Sequence, residues 1–481
     1  MATSSRLFLE QLAALVGPRG FTTDADAMAP WLTDWRGRYH GAAAALVSPA
    51  NTEEVAAVVR LCADHNVAIV PQGGNTSMVG GATPSPDGGA ILLSLRRMNR
   101  IRSLLPDSNL AVCEAGVILA NLHDAAAEKG RRFPLTLGAK GSATIGGLVS
   151  TNAGGTQVLR FGTMRGLVAG IEAVLPDGSI HSALAPLKKD NRGYDLKSLL
   201  IGAEGTLGIV TAATLTLVPA FAERRVAWVG LNDPEAALTL LRRLEAALPD
   251  AVESLELIPA HALDLVLAHI PGTRAPLDAP HPWHVLIEAT APESPSTLGD
   301  RLTAELESAI EADIVKDATI AASLAQDDAF WRIRDSISEA ERAGGVAAKH
   351  DISVPVSYMP RFMMETAPAV ERAFAGTGVI AFGHLGDGNV HFNVMAPAGA
   401  PPDWLASEAP AISAFVHDAV TAAGGSISAE HGIGQMKIDE LERLSSPARL
   451  NALRAIKTAL DPKGIMNPGK LVPLAKKPRP S

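Results

Sequence analysis

Between Glu54 and Asn66 the apolar residues Val55, Val58, Val59 and Cys62 recur at three- and four-residue steps, which lays them on one helix face. Asn51, three residues before Glu54, predicts a reciprocal N-terminal cap. The helix leads into VAIVPQGG, a continuous apolar run that ends on Gly73 and Gly74 and predicts a buried strand of parallel type. From Leu92 to Pro219 the texture changes. Short β-rich runs (AVCEAG, IEAVLPDGSI, GIVTAATLTLVP) alternate with glycine-rich turns, and Leu175–Gly178 reads as a turn between two strands. Past Pro219–Ala222 the pattern becomes a helix (PEAALTLLRRLEAAL), a strand (HVLIEAT) and a second helix (SPSTLGDRLTAELESAI), which predicts a separate α+β domain. A last helix around LNALRAIKTALDP cannot continue past Pro462.

The 481 residues suffice for roughly two to three domains. Lys plus Arg is 42 and Asp plus Glu is 51, a net charge of −9, and no stretch forms the basic patch of a nucleic-acid binder. The two cysteines, Cys62 and Cys113, are too few for an iron–sulfur cluster and read as small buried side chains. Low cysteine use fits a reducing compartment, so a cytoplasmic location is expected. No apolar run approaches the ~18 residues of a membrane span. The N-terminus lacks a secretory signal pattern and reads as the first helix.

Three glycine-rich segments precede Pro219: Pro71–Gly81, Thr136–Gly155 and Ile201–Val210. Glycine lets main-chain N–H groups approach an anion, and successive amides form nests for phosphate. Asn75, Thr76, Ser77, Ser142 and Thr144 add side-chain donors. None of the three is a GxGxxG turn or a Walker loop. Together they resemble the FAD-binding domain of the vanillyl-alcohol oxidase and p-cresol methylhydroxylase superfamily. The resemblance implies that Pro71, Gly73, Gly74, Asn75, Thr76 and Gly80 embrace the pyrophosphate. It implies that Leu137, Gly138, Ser142, Thr144, Gly146, Gly147, Thr151 and Asn152 line the cofactor and its isoalloxazine ring. Glu204, Gly208 and Ile209 fall near the adenosine end. The first loop reads GGNTS, without the histidine that tethers flavin in some members, so dissociable FAD is expected.

Two motifs in the C-terminal half carry titratable groups: FGHLGDGNVHFNV (Phe382–Val394) and SISAEHGIGQMK (Ser426–Lys437). The first reads as a hairpin whose alternation puts His391 and Asn393 on one face, with His384 close to His391 across the turn. Two imidazoles on a polar face make a candidate metal site, for which Glu430 is the obvious third ligand. Glu430 and the adjacent His431 can share a site only if the chain bends, which Gly432 and Gly434 permit. Asp387 reads as a turn residue.

These motifs resemble the C-terminal domain of FAD-linked oxidases that act on D-2-hydroxy acids, nearest the D-2-hydroxyglutarate and D-lactate dehydrogenase group. The resemblance, which spans Pro49 to about Lys470, implies His384, His391 and Glu430 as ligands of zinc or a similar divalent ion and His431 as the base. It implies Arg334, Ser338, Lys349 and Asn393 as substrate residues, and it returns Asn467 to the flavin domain. Arg334 and Ser338 are one helical turn apart, hence on one face of a single helix. The implied fold is α+β: a two-part FAD-binding domain of the p-cresol methylhydroxylase type and an α+β substrate domain built on an antiparallel sheet. The expected divisions are residues 1–220, 221–425 and a C-terminal segment, 426–481, that completes the active site.

The implied activity is oxidation of a small 2-hydroxy acid by hydride transfer to flavin N5. Two cations beyond the metal favour a dicarboxylate, D-2-hydroxyglutarate or D-malate, over D-lactate. With no haem motif and too few cysteines for a relay, the electron acceptor is external: an electron-transfer flavoprotein, a quinone, a partner subunit or oxygen. Association with a membrane would come through that acceptor, and a homodimer is allowed for. The rival readings are a flavin subunit of a multi-subunit glycolate oxidase, a non-redox alkyl transferase on the same plan, and a non-catalytic flavin or metal carrier.

Overall fold

A computed structural model describes residues 2–293 and 295–474, which divide into two compact units. The first unit takes Met1–Gly154, Thr163–Pro219 and the chain from Glu430 on; the second takes Gly155–Gly162 and Ala220–Ala429. Residues 155–162, expected with the first domain, thus belong to the second unit, where Arg160 Nη1 donates to Glu253 Oε1 at 2.9 Å. The expected C-terminal segment likewise leaves its residues 426–429 in the second unit.

In the first unit the amphipathic helix spans Thr52–His65, with Asn51 Oδ1 accepting from Glu54 N at 2.8 Å and Asn66 ending it at φ 52°. Its apolar face, Val55, Val58, Val59 and Cys62, is fully buried. Next to it lies a small sheet in the order Phe21–Thr22, Ala45–Val47, Ile91–Ser94, Ile69–Gln72, parallel except for its first pair. A second, antiparallel sheet of five strands runs Ile101–Leu105, Leu110–Glu114, Ile209–Thr216, Val168–Val174, Ile180–Ala183. After the helix Pro447–Leu460 the chain returns to the first sheet: Ile69 N donates to Ile465 O and Asn467 N to Ile69 O, both at 2.8 Å. The turn is held by the buried Lys457, which donates to Asp461 Oδ2 (2.6 Å) and to the carbonyls of Thr206 and Met466 (2.7 Å each). Burial lowers the pKa of this ammonium, against the pull of Asp461.

The second unit is built on seven antiparallel strands in the order Asp317–Ile320, Glu223–Leu231, Trp283–Ala291, Val252–Pro259, Gly378–His384, Asn389–Met395, Ala347–Ser353. One face is largely apolar, with Leu255, Leu257, Ile287, Phe392 and Val394 packed in one core with residues of helices Pro234–Ala247, Leu298–Glu311, Met359–Ala373 and Ala409–Ala422; the buried His350 shares this face, 2.9 Å from Ser413 Oγ. The opposite face begins apolar, where Trp228, Leu286 and Phe382 meet Phe330 and Ile333, and turns polar toward the last strands. The helix expected through WRIRDSISEA is two, Leu324–Asp335 and Ile337–Gly344, joined at Ser336. Arg334 and Ser338 therefore sit on consecutive helices, and Ser338 is exposed. Among the described residues no helix is long and apolar enough to cross a membrane.

Candidate active site

The three glycine-rich segments enclose a cavity of about 610 Å³ in the first unit. Pro71, Gly73, Gly74, Asn75 and Thr76 line it from the first loop. The second loop brings Leu137, Gly138, Ser142 and Thr144, with Gly146, Gly147 and Thr151 from the helix Ile145–Thr151 that Thr144 caps. Glu204, Gly208 and Ile209 come from the third. The first two loops touch through their backbones: a Cβ on Gly74 would run into the carbonyl of Ser142. Among the described lining residues none is Lys or Arg, so a bound pyrophosphate would depend on main-chain N–H groups and hydroxyls. That donor set, in a cavity with apolar walls such as Val79, Leu95 and Leu148, fits FAD.

Three expected cofactor residues lie outside the lining and support it from behind. Gly80 offers its carbonyl to Gln435 Nε2 at 2.9 Å. Asn152, at φ 50°, ends the helix Ile145–Thr151 and accepts from Thr163 Oγ1 at 3.0 Å. The buried Asn467 donates from Nδ2 to the carbonyls of Glu204 (2.7 Å) and Gly81 (2.9 Å). Exposed Trp35, by contrast, lines the cavity without having been expected there. Its only signal is the neighbouring Asp34, which accepts from Arg36 N and Tyr39 N and folds the segment into a turn. Cys62 and Cys113 are buried outside the lining, and burial pushes both thiols up to about 12.

Glu430 and His431 also line this cavity. The bend expected of their segment is present, with Gly432 at φ 82° and Gly434 at φ 52°. Glu204 spends its carboxylate on this segment: Oε1 accepts from Ile433 N at 2.7 Å and Oε2 from Gly434 N at 2.8 Å. Burial raises the Glu204 carboxyl above its ordinary range, opposed by these N–H groups and by Lys437 and Lys470. Burial also brings the Lys470 ammonium down to about 8, with Glu204 resisting.

In the second unit the expected residues gather on the polar side of the sheet. His384 and His391 face each other at 5.5 Å between ring centroids, inclined at 81°. Arg334 donates from Nη2 to His384 Nε2 at 2.7 Å and from Nε to Glu256 Oε2 at 2.9 Å. A guanidinium only donates, so Nε2 is the unprotonated nitrogen and a neutral His384 carries its proton on Nδ1. Asp387 Oδ2 stands 3.6 Å from His384 Nδ1, beyond hydrogen-bond reach, while Asp387 Oδ1 accepts from Asn389 N at 2.9 Å. Asp387 is a turn residue, as its context predicts.

Lys349 and Asn393 converge on one carboxylate, Glu341, at 2.6 and 2.7 Å. Glu256 and Glu341 are both buried, and neither was expected. Burial raises the Glu256 carboxyl, but the charge of Arg334 and the bonds from Arg334 and Ser254 carry it below the ordinary range. Each cation therefore meets its own buried anion. The two spare positive charges on which the preference for a dicarboxylate rested are not there.

The family model described as FAD binding domain matches residues 43–183, and FAD linked oxidases, C-terminal domain, matches residues 221–471. A mitochondrial D-2-hydroxyglutarate dehydrogenase of Bos taurus is 39% identical over 469 residues, 96% of this chain and 84% of that protein. Its namesake in Arabidopsis thaliana is 37% identical over 95% of this chain and 80% of that one. The D-2-hydroxyglutarate dehydrogenase of Stutzerimonas stutzeri (strain A1501) is 34% identical over 96% and 98%. Among solved structures, p-cresol methylhydroxylase with substrate bound aligns at TM-score 0.75 and 16% identity over 97% of this chain and 96% of its own, which is likeness of fold.

Proposed function

Because the chain belongs to the FAD-linked oxidase family and is an FAD-dependent oxidoreductase, we propose that it is a dehydrogenase of D-2-hydroxy acids, D-2-hydroxyglutarate first, then D-malate or D-lactate. The observation that carries this reading is the pairing of His384 and His391 beside Arg334 on one sheet face, in a chain whose relatives along 95–96% of its length bear that activity in their names. Since the cations of the site are paired, the choice of a dicarboxylate rests on those relatives.

Dissociable FAD in the cavity would supply the two-electron acceptor, and a divalent ion held by His384, His391 and Glu430, zinc by its donor set, would supply a Lewis acid for the hydroxyl oxygen. His431 takes the hydroxyl proton, a task suited to a group that titrates near neutrality. The O–H electron pair becomes the second bond of the carbonyl as the α-hydrogen leaves carbon with its own pair. Arg334 presents its planar fork to the substrate carboxylate, exchanging its contact with His384 Nε2 for that pairing. Lys349, Asn393 and Ser338 are the proposed further contacts to substrate. The electrons leave to an external acceptor: an electron-transfer flavoprotein, a quinone, a partner subunit or oxygen.

The test is anaerobic. Purified holoprotein is mixed in turn with D-2-hydroxyglutarate, D-malate, D-lactate and glycolate while flavin absorbance is followed. Bleaching is expected with one of them, abolished by a chelator and slowed about 100-fold or more in His431→Ala. No bleaching by any of the four, with FAD and metal bound, would sink the stand-alone dehydrogenase and favour a subunit that needs its partners.

A further inference from the structure

Glu204 sits at φ 49°, a left-handed conformation in which an L side chain is strained and glycine is relaxed. Its two carboxylate oxygens take the N–H groups of Ile433 and Gly434, 229 and 230 positions later in the chain. Both amides are buried, and the carboxylate is the acceptor that satisfies them. Contact is close at the next residue too: a Cβ on Gly432 would stand 2.6 Å from Glu204 Oε1. Asn467 closes the far side by donating to the Glu204 carbonyl. A strained residue over-determined by its surroundings points to function.

We infer that Glu204 is the positioning residue for His431: it clamps the two amides just past His431 and so fixes where that imidazole stands in the cavity. This rests on His431 acting as the base. Gln435, which donates from Nε2 to Gly80 O and from N to Val79 O (3.1 Å), holds the C-terminal side of the same turn. Leu471 N also donates to Gly434 O at 2.9 Å, so Glu204 acts on the turn together with these contacts and is the group that takes the Ile433 and Gly434 amides. The chain keeps a strained glutamate where a glycine would fit more easily because only the carboxylate supplies two acceptors in one plane.

The experiment compares Glu204→Gly, which relaxes the backbone while removing the clamp, with Glu204→Gln, which keeps the shape but turns an NH2 toward one of the two N–H donors. Both are loaded with FAD and substrate to saturation. With FAD kept saturating, flavin reduction under anaerobic conditions is expected to slow by about 100-fold, the scale of a 1 Å misplacement, with KM within about twofold of the parent. Gly432→Ala, whose Cβ meets the Glu204 carboxylate, gives the same signature with Glu204 intact. It serves as the test if the Glu204 variants do not fold. In the His431→Ala background, Glu204→Gly should add no further loss. An undiminished rate in Glu204→Gly, a loss recovered by excess FAD, or an equal loss on top of His431→Ala would each overturn the inference. Full activity in His431→Ala alone would instead remove the base on which it rests.

Discussion

The two units place their polar groups by opposite means. The cavity of the first is made of backbone: three glycine-rich loops, hydroxyl groups and, among its described lining, no Lys or Arg. The polar face of the second is made of ionised side chains held in pairs, Arg334 with Glu256 and Lys349 with Glu341. Main-chain donors cannot titrate and cannot be truncated by mutation, but they depend on loops packed too closely for a side chain. Paired charges tolerate packing changes, yet each leaves a buried partner stranded when the other is removed.

The sharpest break in this contrast is Glu256→Ala. It strands Arg334 beside His384 and should cost about 3–5 kcal/mol of second-unit stability in urea denaturation followed by tryptophan fluorescence, with FAD affinity unchanged. Equal losses in both properties would mean that the two constructions are not separable.

A pH titration comes next. His284 is buried and accepts from Trp228 Nε1 at 3.1 Å, and burial lowers it to about 4. A histidine held neutral in the fold must be charged in the unfolded chain below its ordinary pKa. Stability is therefore intact above about 6.5 and falls as pH drops toward 4, by about 3 kcal/mol in all. His284→Gln should flatten that slope; an unchanged slope would assign it elsewhere.

Gly74→Ala makes the complementary break. Its methyl meets the Ser142 carbonyl, so FAD should bind about tenfold or more weakly by fluorescence titration, a loss of about 1.4 kcal/mol. The urea midpoint of the second unit should not move.

The same contrast explains what could be read in the sequence. A backbone-built site announces itself locally, because the glycines that permit it are neighbours in the chain. Pro71–Gly81 and Thr136–Gly155 are visible as patterns for that reason. The hairpin carrying His384 and His391 was legible too, since alternation and a Gly–Asp turn fix both faces within Phe382–Val394. Glu256 was not. In VESLELIP a glutamate between leucines reads as the wet side of a strand, and only the sheet order sets it opposite His384. Glu341 was hidden by the break at Ser336, which separates it from the helix of Arg334. Glu204 looked like a cofactor residue because its loop is one; that its carboxylate serves a segment some 230 residues away has no local trace. Long-range pairing between ionised groups is a property of topology, and periodicity carries none of it.

The return of the chain after Pro447–Leu460 to the strand Ile69–Gln72 has a consequence for the order of assembly. The second unit is nearly continuous, and all its residues have been synthesised by Ala429. The first cannot be completed until Ile465 and Asn467 have left the ribosome, because they add to a strand made some 400 residues earlier. During synthesis the edge of Ile69–Gln72 waits unpaired while a whole domain forms downstream, the long-range closure that makes folding slow and exposes edges to wrong partners. A nascent chain stalled just short of Ile465 would hold every residue of the second unit, while the small sheet of the first would still lack the backbone partners of Ile69.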